Sequence, residues 1–302
     1  MKKIIITTLT MAALFTACGH RTSSDNKEDS DSVVVDSTSV TEALKLKTQK
    51  INLEQDDSTA SVNITIDWPT EGPEVLVTSI RQYLCRGLDM KNVKETSNGQ
   101  TIVDKCVKTI YKDLHNQWLD LHKEGLSGMT LSSYKKLFKL EETETYVTYM
   151  CNTEGYLGGA HGYATSAGCT FSKQSGRAIG YESQYDEQHD VWKQLNQRLF
   201  KDPKGIHLRN LIKEGLRSYF QDNQETPISD ADLKDYLLYD ASVDNLPLPQ
   251  FPPYFTADGL AFVYQQYEIA PYAAGMPSFT IPYDDIRPLL TDEAAGLIPQ
   301  KR

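Results

Sequence analysis

The sequence predicts an α+β fold: an antiparallel sheet with helices packed on one face, in two tightly associated subdomains. Three observations carry this. Val62, Ile64 and Ile66 alternate with Asn63, Thr65 and Asp67, the period of two of a half-buried strand. Val103, Val107, Ile110, Leu114, Trp118 and Leu121 recur at helical spacing, the stripe of an amphipathic helix. Strand-like and helix-like segments come in runs instead of alternating singly, which argues against a doubly wound parallel sheet.

Ordered structure is expected to begin between residue 47 and Ile51. After the strand at 61–67, Trp68 to Pro73 is a turn cluster. Leu76, Ile80, Tyr83, Leu84 and Leu88 place a helix over 75–88. Asn98-Gly99 precedes the long helix, and Gly125 and Gly128 end it. Tyr134 to Cys151 is rich in Tyr, Val and Thr, as strands are. A glycine-rich loop spans 155–162, followed by strand-like 165–171 and 178–181. Helices are expected at 191–200, 208–220 and 231–239, the last with Ser229 as N-cap. Asp258-Gly259 between apolar runs signals a hairpin. A strand at 278–283 closes the fold. The expected organisation is a first subdomain over 47–140, a second over 141–292 and a frayed tail over 293–302.

The N-terminus reads as an export signal. Lys2 and Lys3 precede an apolar stretch from Ile4 to Phe15, and Cys18 follows Ala17. That stretch falls short of the roughly 20 apolar residues that span a bilayer. A cysteine after a small residue at this place resembles the bacterial lipobox, which implies a signal peptide over 1–17 and a lipid on Cys18. Phe15 departs from the aliphatic residue of that pattern, and an ordinary cleaved signal is the alternative. Residues 18–46, rich in Ser, Thr, Asp and Glu and without aromatics, read as a disordered acidic tether reaching roughly 30 Å. The run from Ser23 to Asp31 resembles a surface-export signal; a solvated tether explains it equally. The expected location is the cell envelope, at the outer membrane and, where the 23–31 run acts as an export signal, on its surface side, with the N-terminal lipid as the membrane attachment.

The net charge of −10 excludes a nucleic-acid partner on electrostatic grounds. Four cysteines remain beyond Cys18. Export favours disulfides, and the local pairing is Cys85 with Cys106 and Cys151 with Cys169. Four buried free thiols are the alternative. No CxxC supports a zinc or redox site, and no cofactor motif appears.

Two segments stand out: Glu154 to Tyr163, containing Gly-Gly-Ala-His-Gly, and Tyr267 to Gly275, reading Tyr-Glu-Ile-Ala-Pro-Tyr-Ala-Ala-Gly. With the closing Thr-Ile-Pro-Tyr at 280–283, they resemble the C-terminal domain of unknown function of the lysozyme-sensing anti-sigma factor RsiV. A similar module precedes the catalytic domain of some peptidoglycan deacetylases. The resemblance covers about 146–290. It implies recognition of a lysozyme-like protein or a peptidoglycan fragment and no established catalysis.

From the residues themselves, the glycines at 158, 159 and 162 suit a wide hairpin connection. On a binding reading, His161 stands beside Glu268, and Tyr156, Tyr163, Tyr267 and Tyr272 form an aromatic surface for a protein or glycan. His161 and Glu268 could also act as a base and its orienter, although no nucleophile or metal set accompanies them. Pro271 could be cis or a kinked turn residue. His115 and His122 read as surface residues, and Asp56-Asp57 as a turn. The first functional expectation is a non-enzymatic binding lipoprotein, whose acidity suits a basic partner. The second is a hydrolase or deacetylase acting on envelope glycans.

Overall fold

The computed structural model describes residues 45–90, 98–126, 128–186, 191–221, 227–238 and 242–299. Cys18, the expected signal segment and nearly all of the expected tether lie outside the described residues. The elements run β1 (Lys47–Asp56), β2 (Ala60–Glu71), α1 (Glu74–Gly87), α2 (Gly99–Lys123), β3 (Leu131–Glu142), β4 (Tyr146–Tyr156), β5 (Tyr163–Ser172) and β6 (Ala178–Ile179). They continue as β7 (Glu182–Asp186), β8 (Val191–Leu195), α3 (Ile206–Gln221), α4 (Asp230–Tyr236), β9 (Tyr254–Phe255), β10 (Gly259–Val263), β11 (Ser278–Pro282), α5 (Tyr283–Ile286) and α6 (Asp292–Ala295). The class is α+β, as predicted.

Strands β1 to β6 form one sheet in sequence order. Its pairs are antiparallel except β2–β3, where Ala60 to Ile66 lie parallel to Leu131 to Leu137. This departs from the antiparallel expectation at one pair. Residue alternation fixes which face a strand buries, not its neighbour's direction. The intervening chain supplies the long crossover a parallel pair needs. In it α1 and α2 cover one sheet face. Leu76, Ile80 and Leu84 of α1 and Val103, Cys106 and Val107 of α2 pack on Val62, Ile64 and Ile66. Asn98 caps α2 by accepting the Gln100 N–H at 2.8 Å. At the next residue a Cβ on Gly99 would lie 2.5 Å from the Trp68 ring, so the helix start can only approach this closely as glycine.

The other face of β4 and β5 carries a second core. In β4, Val147, Tyr149 and Cys151 join the helix-side core, while Tyr146 joins the C-terminal one. Thr148 and Thr170 are directly opposed and fully buried. Their hydroxyls lie 2.8 Å apart. Thr148 donates to the Phe255 carbonyl at 2.8 Å, and Thr170 accepts the Phe255 N–H at 2.9 Å. Both polar groups of a buried β9 residue are thereby satisfied from the sheet. Gly168 leaves room for the Tyr254 ring, which a Cβ would strike at 2.1 Å. Around this seam β9, β10 and β11 form a second sheet, and α3 packs on β11 through Phe279 against Gly215. Ser229 and Asp232 close a full capping box on α4.

Three expectations are corrected. Residues 191–195 form a strand paired with β7, not a helix. The C-terminal tail is not frayed over 292–298: α6 is capped by Thr291, Leu297 and Ile298 are buried, and the Leu297 carbonyl accepts from Thr145 at 2.5 Å. The cysteines are four buried free thiols, not two disulfides. Cys151 opposes Ala167 and Cys169 opposes Tyr149, so these two are diagonal neighbours. That separation is about 7–8 Å, beyond disulfide reach. The Cys106 thiol instead donates to the Leu88 carbonyl at 3.4 Å. Burial pushes the thiols of Cys106 and Cys169 up to about 11 and about 12, so the reactive thiolate is scarce. Among the described residues no helix is long and apolar enough to cross a membrane.

Thr170→Val keeps the shape but strips the Phe255 N–H of its partner. It is expected to lower unfolding free energy by about 1–3 kcal/mol in urea titration. The thiols of Cys85, Cys106, Cys151 and Cys169 are expected to resist a thiol reagent in the native protein and react on unfolding. Reductant should leave the melting midpoint unchanged.

Candidate functional site

The two segments singled out by sequence meet in space. Residues 157–162 connect β4 to β5 and lie against the second half of α2. Gln117 donates to the Leu157 carbonyl at 2.8 Å. Gly158 takes φ +89° with its Cα turned toward Leu121, where a Cβ would lie 2.5 Å from a methyl group. The loop thus needs glycine for both conformation and approach. Its Tyr156 hydroxyl donates to the Gly159 carbonyl at 2.8 Å.

His161 is exposed at the loop tip. Its Nδ1 lies 2.8 Å from the Gly162 carbonyl, which can only accept, so Nδ1 carries a proton. In the neutral ring Nε2 then accepts from the Tyr267 hydroxyl at 3.2 Å. The imidazole stacks on Tyr272 at 3.8 Å between centroids, and the Tyr272 hydroxyl donates to Gly162 at 3.1 Å. Tyr267 and Tyr272 stand 5.7 Å apart. Three rings therefore form one solvent-facing cluster.

Tyr267 is the unusual member. It is 55% exposed and has φ +64°. Asp89 and Asn196 share that left-handed region, which their residue types tolerate; a bulky tyrosine there is strained. Side-chain amides hold the strained turn on the open edge of β5. Gln266 accepts the Ala164 N–H at 2.9 Å. Gln265 accepts the Ser166 N–H and donates to the Ser166 carbonyl, both at 2.9 Å, pairing as a strand peptide would. Glu268 accepts the N–H of Gln265 at 2.7 Å and that of Gln250. Burial pushes its carboxyl up to about 7, against the pull of these two N–H groups.

Not every expected member joins the cluster. Tyr163 lies over Gly155, with its hydroxyl 3.5 Å from Ser133 on the helix side of the sheet. Glu268 spends both oxygens on backbone amides and does not orient His161 as the base-and-orienter reading expected. The peptide before Pro271 is trans. Asp57 forms a turn, accepting from the N–H and hydroxyl of Thr59, the N–H of Ala60 and the Tyr111 hydroxyl. These bonds hold its carboxyl well below the usual range. Gln265 and Gln266 were not foreseen. Adjacent glutamines give no periodic signal, and only the β5 edge shows their use. Among the described residues no three His, Cys, Asp or Glu side chains gather as a metal site.

The fold is α+β, built on two hydrophobic cores. Residues 191–284 match the family described as "Protein of unknown function (DUF3298)". A crystal structure of a DUF3298 family member from Bacteroides fragilis is similar with a TM-score of 0.57 at 17% identity, covering 83% of this chain and 96% of that one. A DUF3298 family protein from Pseudomonas aeruginosa is similar with a TM-score of 0.54 at 16% identity, covering 86% and 99%. No curated protein matches. At these identities the likeness establishes the fold. The family match begins after the glycine-rich loop, so it includes Tyr267 and Tyr272 but not His161.

Tyr267→Asn places a residue that tolerates the left-handed region. The melting midpoint is expected to hold or rise slightly, since relief of backbone strain of about 1 kcal/mol offsets the lost ring contacts.

Proposed function

We propose that the protein is a binding module of the cell envelope, held by a lipid on Cys18, and that it recognises a lysozyme-like protein or a cell-wall glycan through His161, Tyr267 and Tyr272. One observation carries this reading. An exposed tyrosine is kept in a strained conformation by several hydrogen bonds, and its hydroxyl meets a loop histidine at 3.2 Å. Strain maintained this way at an aromatic that stays 55% exposed suits recognition.

The topology supports the orientation. Leu46, at the start of the described residues, donates its N–H to Glu142 at 3.0 Å, at the far end of β3. The ring cluster sits beside Tyr156, which pairs with Ser132 at the near end. Eleven residues of β4 separate the two ends, roughly 35 Å. On this reading a tether joins the domain at the end of the sheet opposite the cluster. The hydrolase alternative loses support, because both oxygens of Glu268 are engaged by backbone amides.

Titration calorimetry with lysozyme and with muropeptides tests the reading. One of them is expected to bind, and His161→Ala or Tyr267→Ala should weaken that binding by roughly 30-fold, a loss of about 2 kcal/mol. No binding of either probe, or unchanged affinity in both variants, rejects it.

A further inference from the structure

Among the described residues two large apolar side chains are more open to water than Tyr267, and both lie at the end of the fold opposite the ring cluster. Val75 and Ile206 are each 60% exposed. That end is marked by the turn between β3 and β4. Glu142 takes the Leu46 N–H there, and the Thr145 hydroxyl donates to the Leu297 carbonyl just beyond α6. Val75 joins this end through the turn after β5. A Cβ on Gly176 would lie 2.7 Å from Val75, and the Lys173 N–H donates to the Thr145 carbonyl at 2.8 Å. Ile206 joins it through α6. The chain passes from Phe200, bridged to Leu290, into the loop before α3, where Lys201 pairs with Asp292 at 3.5 Å. From Ile206, α3 runs about 20 Å to Tyr219, whose hydroxyl donates to Ala274 in the turn that carries Tyr272. Ile206 and the ring cluster thus stand at opposite ends of one helix.

The charge around Ile206 is unlike that of the chain. Residues 198–209 hold Arg198, Lys201, Lys204 and Arg209 against Asp202 alone, a net +3 within a chain of −10. Asp202 is engaged by its own turn, accepting the Lys204 N–H at 3.0 Å. α6 brings Asp292, which Lys201 neutralises, and Glu293. Among the described residues Lys204 and Arg209 have no ion-pair partner. We propose that this end of the fold docks on an anionic bilayer, with Ile206 entering the headgroup region and Lys204 and Arg209 meeting lipid phosphates. A bilayer interface removes the isoleucine from water, and each cation near an anionic surface adds an attraction that salt screens. One apolar side chain and a few charges bind weakly, so the contact orients a chain already held at the membrane. That attachment belongs to the proposed function, on which this docking rests; the docked pose turns His161, Tyr267 and Tyr272 away from the lipid.

An emitter at the tip tests this in the full chain, expressed from its first residue in a bacterium. His207 is exposed, so His207→Trp sets an indole beside Ile206 without disturbing the core, and brominated phospholipid quenches an indole on contact. With phosphatidylglycerol vesicles, quenching beyond that of the wild type is expected; with phosphatidylcholine vesicles it is not. Leu157→Trp, in the loop that carries His161, is expected to add no quenching with either lipid. Adding Lys204→Glu and Arg209→Glu to the His207→Trp chain should lower the ratio of docked to undocked tip roughly 30-fold. No added quenching with phosphatidylglycerol, equal quenching with both lipids, or quenching that survives the charge reversal overturns the proposal. The mass of the N-terminal fragment reads the lipid on Cys18 separately. A lipidated chain with an unquenched tip rejects the docking and leaves the anchored reading standing, whereas an unlipidated chain quenched only with phosphatidylglycerol supports the docking and rejects the anchor.

Discussion

A pair of buried threonines holds the two halves of this molecule in place. Thr148 and Thr170 face each other across β4 and β5, on the sheet face that the helices leave uncovered. Left alone, two buried hydroxyls would each carry a desolvation penalty. Bonded to each other and to both backbone groups of Phe255, they become a seat that accepts one strand in one position. Hydrophobic contact alone would allow the C-terminal part to slide; hydrogen bonds at a fully buried point do not. From that seat β10 and β11 extend, and α3 packs on β11.

The ring cluster is a consequence of the same docking. With β9 fixed, the segment after β10 runs along the open edge of β5, where unpaired strand groups need partners. Gln265 and Gln266 supply them with side-chain amides. A turn held at so many points can keep Tyr267 in a conformation it would not choose. The loop that brings His161 is fixed independently, by α2 through Gln117 and the close approach of Gly158. The site is therefore assembled from two rigid supports.

The thiols show how packing overrides a compartment argument. Export, where it is expected, and four cysteines beyond Cys18 together suggest disulfides. Here all four enter the core between helices and sheet, two on helices and two on neighbouring strands in diagonal register. Burial suppresses their ionisation, and a thiol with little thiolate exchanges slowly. They behave as small apolar residues.

Local pattern determined much of this protein. The alternation at 61–67 placed β2, the stripe from Val103 to Leu121 placed α2, and Ser229 marked the start of α4, because each depends on residues a few positions apart. The Gly-His loop and the Tyr267–Tyr272 segment also stood out, since glycines and tyrosines at such density have few structural uses. Only tertiary structure decided how these pieces combine. The parallel direction of β2–β3, the ordered 292–298 segment and the diagonal register of Cys151 and Cys169 rest on contacts between residues far apart in sequence, while the strand at 191–195 and the turning of Glu268 toward backbone rest on pairings that local periodicity does not signal. A side chain's partner across the fold is set by register and docking, and nothing in its neighbours along the chain encodes that.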